Sequence, residues 1–186
     1  MERADAARNR ARILEAAALL FAERPPQDVT MDDIAKKAGV GRGTLYRRYP
    51  DRASIAVALL DEHERDLQER LLRGEPPLGP GAPPAERLAA FYSAMVRLLE
   101  DHSHLVLGSE VGRSRFETGA YGFWRAHVRA LLTAAGTPGP DALVDALLAP
   151  LAPEVYGYQR TVLDLAPEQI AEALARLTRA LGPGSS

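Results

Sequence analysis

Cysteine is absent from the 186 residues. That excludes disulfides and thiolate metal sites, and leaves the fold to packing and hydrogen bonding. Long apolar runs are missing too. No stretch approaches the ~18 residues of a membrane span, and the N-terminal MERADAARNRAR has no apolar leader region. A cytoplasmic protein without a membrane partner is the expectation. Aromatics make up only 6% of the chain, so any gathering of them is informative. Charge of one sign is scarce as well, the net value being −2. A uniformly basic nucleic-acid binder is excluded, but the distribution carries more than the sum. Residues 1–52 hold eleven Lys/Arg against eight Asp/Glu, a balance of +3, and the remainder holds twelve against seventeen, or −5. The basic surplus is N-terminal.

What is present is helical periodicity. Residues 8–23 place Ile13, Ala16, Ala17, Leu20 and Phe21 on one stripe, and Pro25-Pro26 ends it. Thr30 with Asp33 three residues on reads as a capping box opening a short helix at 31–37. Gly39-Val40-Gly41 is a tight turn, and a second short helix, 42–48, is stopped by Pro50. Asp51 caps a longer helix, 52–72, carrying Ile55, Leu59, Leu60, His63 and Leu67. RGEPPLGPGAPPAE (73–86) is then dense in Pro and Gly, a loop or domain boundary rather than a separate Pro-rich recognition module. Helices resume at 85–101, 104–113, 119–135, 140–160 and 168–181, with Pro150 and Pro153 kinking or breaking the fourth of these. No strand and no internal repeat is expected. The fold class is all-α, with about nine helices.

The chemistry concentrates in MDDIAKKAGVGRGTLYRRYPDR (31–52), nine of whose residues are charged. On a wheel of ~100° per residue, Leu45 and Tyr49 share the buried side of helix 42–48, and Gly43 and Arg47 point the other way. Thr44, Tyr46 and Arg48 flank that outer face. A small, polar, basic face on a short helix after a glycine turn suits the DNA major groove. Gly43 permits close approach, and an Arg can reach guanine O6 and N7. Helix, short turn, helix is the helix-turn-helix arrangement. Arg42, Gly43, Thr44 and Arg47 are the candidates for base edges. Thr30, Tyr46, Arg48 and Arg52 are the candidates for phosphates, Thr30 because its helix start offers backbone N–H groups.

ILEAAALLFAER…VTMDDIAKKAGVGRGTLYRRYPDR resembles the tetracycline-repressor (TetR) family of bacterial transcription regulators, over about residues 10–60. The sequence departs from the pattern at two places. Pro25-Pro26 stands where the family usually has Gly and an aromatic, and Gly41 stands where it often has Ser. The resemblance implies a helix-turn-helix domain at 1–50, a connecting helix at 51–72, the Pro/Gly loop at 73–84, and a helical ligand-binding and dimerisation domain at 85–186. It implies a double-stranded DNA operator, a small-molecule effector and a homodimer as partners, and no cofactor.

The effector site is expected among Phe91, Tyr92, Met95, His102, Arg113, Phe116, Tyr121, Trp124, His127 and Tyr156. GRSRFETGAYGFWRAH (112–127) is unusually aromatic for this chain, and such walls suit an apolar or aromatic molecule. The same spacing also suits plain core. Leu143, Leu147 and Leu151 on one late helix, and Ile170, Leu174, Leu177 and Leu181 on the last, are the expected dimer stripes, although such stripes can also close a monomer core. His102 and His104 are two apart, so a helix does not bring them to one face, and no metal is expected. The reading is a ligand-responsive transcriptional regulator, a repressor rather than an activator of the same fold. An enzyme using His and carboxylates finds no nucleophile elbow, P-loop or metal motif in its favour.

Overall fold

The computed structural model describes residues 2–106 and 119–179. Among the described residues there are nine α-helices and no strand: α1 (Glu2–Glu23), α2 (Met31–Ala38), α3 (Arg42–Arg48), α4 (Arg52–Arg73), α5 (Pro84–Val106), α6 (Gly119–Ala134), α7 (Pro140–Leu148), α8 (Pro153–Thr161) and α9 (Pro167–Arg179). None of them is long and apolar enough to cross a membrane. The chain divides into two compact units, residues 1–63 and 64–186. The division falls inside α4, and the Pro/Gly segment lies within the second unit, where Leu78 packs against the core.

In the first unit the core is Ile13, Ala17 and Leu20 of α1, Ile34 and Ala35 of α2, Leu45 of α3, and Ile55 and Leu59 of α4. These are the positions that periodicity selects; His63, placed on the same α4 stripe, is exposed. α1 reaches back to Glu2, six residues before the expected start at residue 8, because the Ala- and Arg-rich lead-in has high intrinsic helix propensity. The capping box at the start of α2 is complete. The Asp33 amide donates to Thr30 Oγ1 (3.1 Å), and the Thr30 amide donates to Asp33 Oδ2 (3.0 Å). Those bonds, led by the Thr30 amide, and Arg24 beside them hold the Asp33 carboxyl below its ordinary range.

The α1–α2 loop takes the course its prolines require. Pro26–Asp28 forms a 3₁₀ turn, the Asp28 amide bonds the Pro25 carbonyl (2.9 Å), and Val29 is fully buried. Arg52 closes the loop, Nη1 donating to the carbonyls of Gln27 (2.6 Å) and Val29 (2.9 Å).

The second unit is built around α5, which packs side by side with α9. Leu88, Phe91, Tyr92, Met95, Val96 and Leu99 recur at three- and four-residue steps and all are buried. The expected break near residue 101 is absent, since α5 runs through to Val106. Nothing between Asp101 and Val106 is Gly or Pro, and polar residues alone do not end a helix. The rest of the helix expected at 104–113 lies outside the described residues. The long helix expected at 140–160 is three pieces, α7, a 3₁₀ turn (Ala149–Leu151) and α8, broken at Pro150 and Pro153.

Two polar anchors sit in this unit. The Tyr92 hydroxyl donates to the Leu147 carbonyl (3.0 Å), and burial pushes that phenol up to about 12. Arg160 forks onto Glu100, Nε to Oε2 and Nη2 to Oε1, both at 2.9 Å, while its Nη1 donates to the Leu165 carbonyl (2.7 Å). The Tyr156 hydroxyl donates to the same carboxylate. Arg160, then the Tyr156 bond, hold Glu100 below its ordinary range against the opposing effect of burial.

The turn between α2 and α3 is the tightest point of the first unit. Gly39 has φ +62°. Its amide bonds the Lys36 carbonyl (3.2 Å) and the Val40 amide bonds the Ala35 carbonyl (3.0 Å), the paired closure of a Schellman end. Arg12 Nη2 donates to the Gly39 carbonyl (3.0 Å) and lies 2.5 Å from where a Cβ would stand. Gly39→Ala is therefore expected to destabilise the protein by about 1–2 kcal/mol, the cost of a side chain in the left-handed region. Urea denaturation measures it, and an unchanged midpoint refutes this account of the turn.

Candidate functional site

α3 has seven residues, of which only Leu45 is buried; Tyr49, in the cap position directly after Arg48, is buried as well. The remaining side chains form an outward face. Gly43 is exposed, and a Cβ added there meets no atom within 4 Å. Packing therefore does not demand glycine at this position. Tyr46 is 49% exposed. Arg47 is exposed, with one long contact to Thr44 Oγ1 (3.4 Å). Arg42 pairs with Asp32 on α2, both ends well exposed, which makes the pair weak and exchangeable.

The four arginines of 42–52 thus separate into two kinds. Arg42 and Arg47 face outward from α3. Arg48 turns back, Nη1 donating to the Ala6 carbonyl of α1 (3.1 Å). Arg52, a phosphate candidate, has its Nη1 engaged with the carbonyls of Gln27 and Val29. The reason is its place at the first residue of α4, where those two carbonyls lie within reach. Thr30 is likewise occupied as a cap, though its helix start remains at the surface. Arg12 was not singled out as a turn residue by spacing, because the contact to Gly39 spans 27 positions.

In the second unit, Phe91, Tyr92, Met95, Trp124 and Tyr156 belong to one buried cluster. Phe91 lies 6.0 Å from both Tyr92 and Trp124, and 5.5 Å from the His127 ring. Phe123 meets Trp124 edge-on at 5.4 Å and stacks parallel to His127 at 6.4 Å. His102 is buried. Tyr121 sits at the rim, its hydroxyl donating to Asp145 (2.9 Å), which also receives Arg125. Arg113 and Phe116 lie outside the described residues. A cavity between α5, α6 and α9, lined by Leu88, Leu131, Leu132, Ala135 and Thr178, holds about 20 Å³. That is room for one water and not for an effector.

The expected dimer stripes are corrected in part. Leu147, Leu151, Ile170 and Leu174 are buried in the protomer's own core, and Leu143 packs against it. Side chains already covered within one chain have no surface to offer a second. Leu177 is different, at 49% exposed. Leu181 lies outside the described residues. Exposed apolar side chains of the same unit include Val155 and Tyr158 of α8, and Val162 and Leu163 just beyond it.

His127 lies against the aromatic cluster, and its imidazole is shifted there. Burial, then the Arg87 charge, push His127 down from 6.5 to about 4. Its Nε2 is buried without a partner.

Comparison with known proteins agrees with the first unit's arrangement. The profile described as bacterial regulatory proteins, tetR family, matches residues 13–59. An uncharacterised HTH-type transcriptional regulator of Mycobacterium tuberculosis is 33% identical over 132 residues, covering 70% of this chain and 63% of that protein. The match thus spans less than two thirds of that relative's length. Among solved structures, a TetR/AcrR-family regulator from Thermobifida fusca superposes with TM-score 0.67 at 21% identity, over 91% of this chain and 95% of that one. A SmeT–triclosan complex superposes with TM-score 0.62 at 15% identity, over 96% of each. These two show the likeness of fold across both units.

The His127 shift has a direct consequence for stability. Because the folded-state value lies below the unfolded one, the unfolded chain takes up the proton first as pH falls. The contribution is whole above about pH 6.5 and is lost as pH falls towards 4. A slope of at most about 1.4 kcal/mol per pH unit is expected for one proton. Thermal melts between pH 7 and pH 5 should show the loss, and His127→Gln should flatten it; equal slopes in the two proteins refute the assignment. With residues 13–59 matched and the helix-turn-helix built as described, the first unit carries the DNA-binding region that the tetR family of bacterial regulatory proteins shares, and the fold of both units is that of the solved TetR/AcrR-type structures.

Proposed function

We propose that this protein is a ligand-responsive transcriptional regulator. It acts as a homodimeric repressor that leaves a near-palindromic operator when a small apolar or aromatic molecule binds the second unit. The observation that carries the reading is the face of α3. Gly43, Tyr46 and Arg47 stand exposed beside a fully buried Leu45, and glycine occupies a position where packing leaves open space. A groove-facing helix needs close backbone approach, and Arg47 and Arg42 supply the base-edge donors. Tyr46 and the start of α2 at Thr30 supply phosphate contacts. Arg48 and Arg52 act mainly by holding the domain together. That SmeT, similar in fold, forms a complex with triclosan supports an apolar, aromatic effector here. One recognition helix reads few base pairs, so two copies are needed, with half-sites about 34–36 Å apart or a multiple of that. The exposed side chains of Val155, Tyr158, Val162 and Leu177 are the surface for the second copy. Residues 155, 158 and 162 follow three- and four-residue steps on one face.

Two expected outcomes test the reading. On an operator selected from random DNA, Arg47→Ala should cost roughly 1–3 kcal/mol and relax preference at one position. Gly43→Ala should leave the melting temperature unchanged or higher, since Ala is the better helix former, yet weaken binding tenfold or more, about 1.4 kcal/mol. Fluorescence anisotropy reads both, and full affinity in both variants removes α3 from the groove. For the dimer, Tyr158→Glu with Leu177→Glu should yield helical monomers with much weaker operator binding. Sedimentation velocity decides it: a variant that stays dimeric moves the interface elsewhere.

A further inference from the structure

Arg87 lies in the first turns of α5, half-buried, its Nη2 donating to the Leu71 carbonyl at the end of α4 (3.1 Å). Its Nε is buried without a hydrogen-bond partner. No carboxylate among the described residues pairs with it. Arg87 is close enough to His127 of α6 for its charge to act on the imidazole. His127 in turn has a buried Nε2 with no partner, and its ring lies against Phe91 (5.5 Å) and parallel to Phe123 (6.4 Å, 4°).

Buried polar groups in folded proteins are nearly always hydrogen-bonded, and each exception needs a reason. Two such exceptions, Arg87 one turn before Phe91 on α5 and His127 against the Phe91 ring, one of them an arginine that is always charged, define a polar spot with one positive charge that no described carboxylate meets. At neutral pH the imidazole is uncharged, so that charge is Arg87's alone. The complement is a single negative charge that accepts hydrogen bonds in a plane, beside an aromatic wall. We propose that Arg87 and His127 form the polar end of the effector site, and that the effector is an organic acid. Its carboxylate accepts from Arg87 Nε and His127 Nε2, and its aromatic or alkyl body lies along Phe91 and Phe123. The proposal rests on the reading of the second unit as the effector domain, and gives that effector a chemical class.

The test uses the full chain and its single tryptophan, Trp124, which neighbours both phenylalanines. The probes are decanoate and 4-tert-butylbenzoate, each against its primary amide. Trp124 emission and melting temperature report binding, and operator anisotropy reports release. At least one acid should bind tenfold or more tightly than its amide. That preference should vanish in Arg87→Met and fall several-fold in His127→Phe. Should Arg87→Met lose helicity, Arg87→Gln removes the charge while keeping a donor for the Leu71 carbonyl. Equal binding of acid and amide, a preference that survives loss of Arg87, or no binding of either acid at millimolar concentration overturns the proposal. The two readings fail separately. Amides that release DNA as well as acids leave the effector domain standing and remove the carboxylate. Acids that bind through Arg87 yet leave operator affinity unchanged do the reverse.

Discussion

The burial of Leu45 is the constraint on which the N-terminal unit depends. A seven-residue helix has no stability of its own in water, where helices shorter than about 12–15 residues are marginal. α3 exists because Leu45 is fully enclosed and Tyr49 is buried one turn on. Those two side chains fix the rotation of the helix about its axis. Once the inward side is fixed, Gly43 and Arg47 have no choice but to face out. The Schellman end at Gly39, held from outside by Arg12, fixes where α3 begins. Recognition chemistry is thus set by residues that never leave the core.

The basic character of residues 42–52 has two physical meanings that a charge count merges. A guanidinium that donates to loop carbonyls, as Arg52 does at 2.6 and 2.9 Å, stabilises the loop whatever lies outside. A guanidinium paired with an exposed carboxylate, as Arg42 is with Asp32, contributes about 0–1 kcal/mol and can exchange that partner for a phosphate or a base edge. The first kind acts on folding, and the second is left available to a partner. Sequence spacing cannot separate them, because the carbonyls that capture Arg52 and Arg48 lie 23 to 42 residues away.

Local features were legible for local reasons. The Thr30–Asp33 box, the Gly39 turn, the Asp51 cap and the breaks at Pro150 and Pro153 are each decided within a few residues. The end of α5 was not legible, because Asp101–His104 looks like a loop by polarity while nothing in it breaks a helix. The stripes of α7 and α9 read from spacing as dimer faces, but periodicity does not say what buries them. Ile170 and Leu174 face α5 and its neighbours within the protomer, whereas the exposed apolar positions of α8 follow a weaker pattern that includes Tyr158. The aromatic cluster shows the same ambiguity. Phe91, Tyr92 and Trp124 pack as core, and only the unsatisfied nitrogens beside them distinguish this region from ordinary packing.

Two arginines of the second unit set the terms of that distinction. Arg160 and Arg87 both donate to a carbonyl where the chain leaves regular structure, Leu165 in one case and Leu71 in the other. Arg160 is compensated in full by the two oxygens of Glu100, with Tyr156 on the same carboxylate. Among the described residues no carboxylate pairs with Arg87, and its charge helps to keep His127 neutral. A charge half-withdrawn from water and left without a counter-ion is a standing cost to stability. Arg160 shows that this unit can place a carboxylate where a guanidinium needs one. No described carboxylate fills that role at Arg87, and this is the ground for proposing a counter-charge from outside the chain, in the manner of functional sites that give up stability for binding.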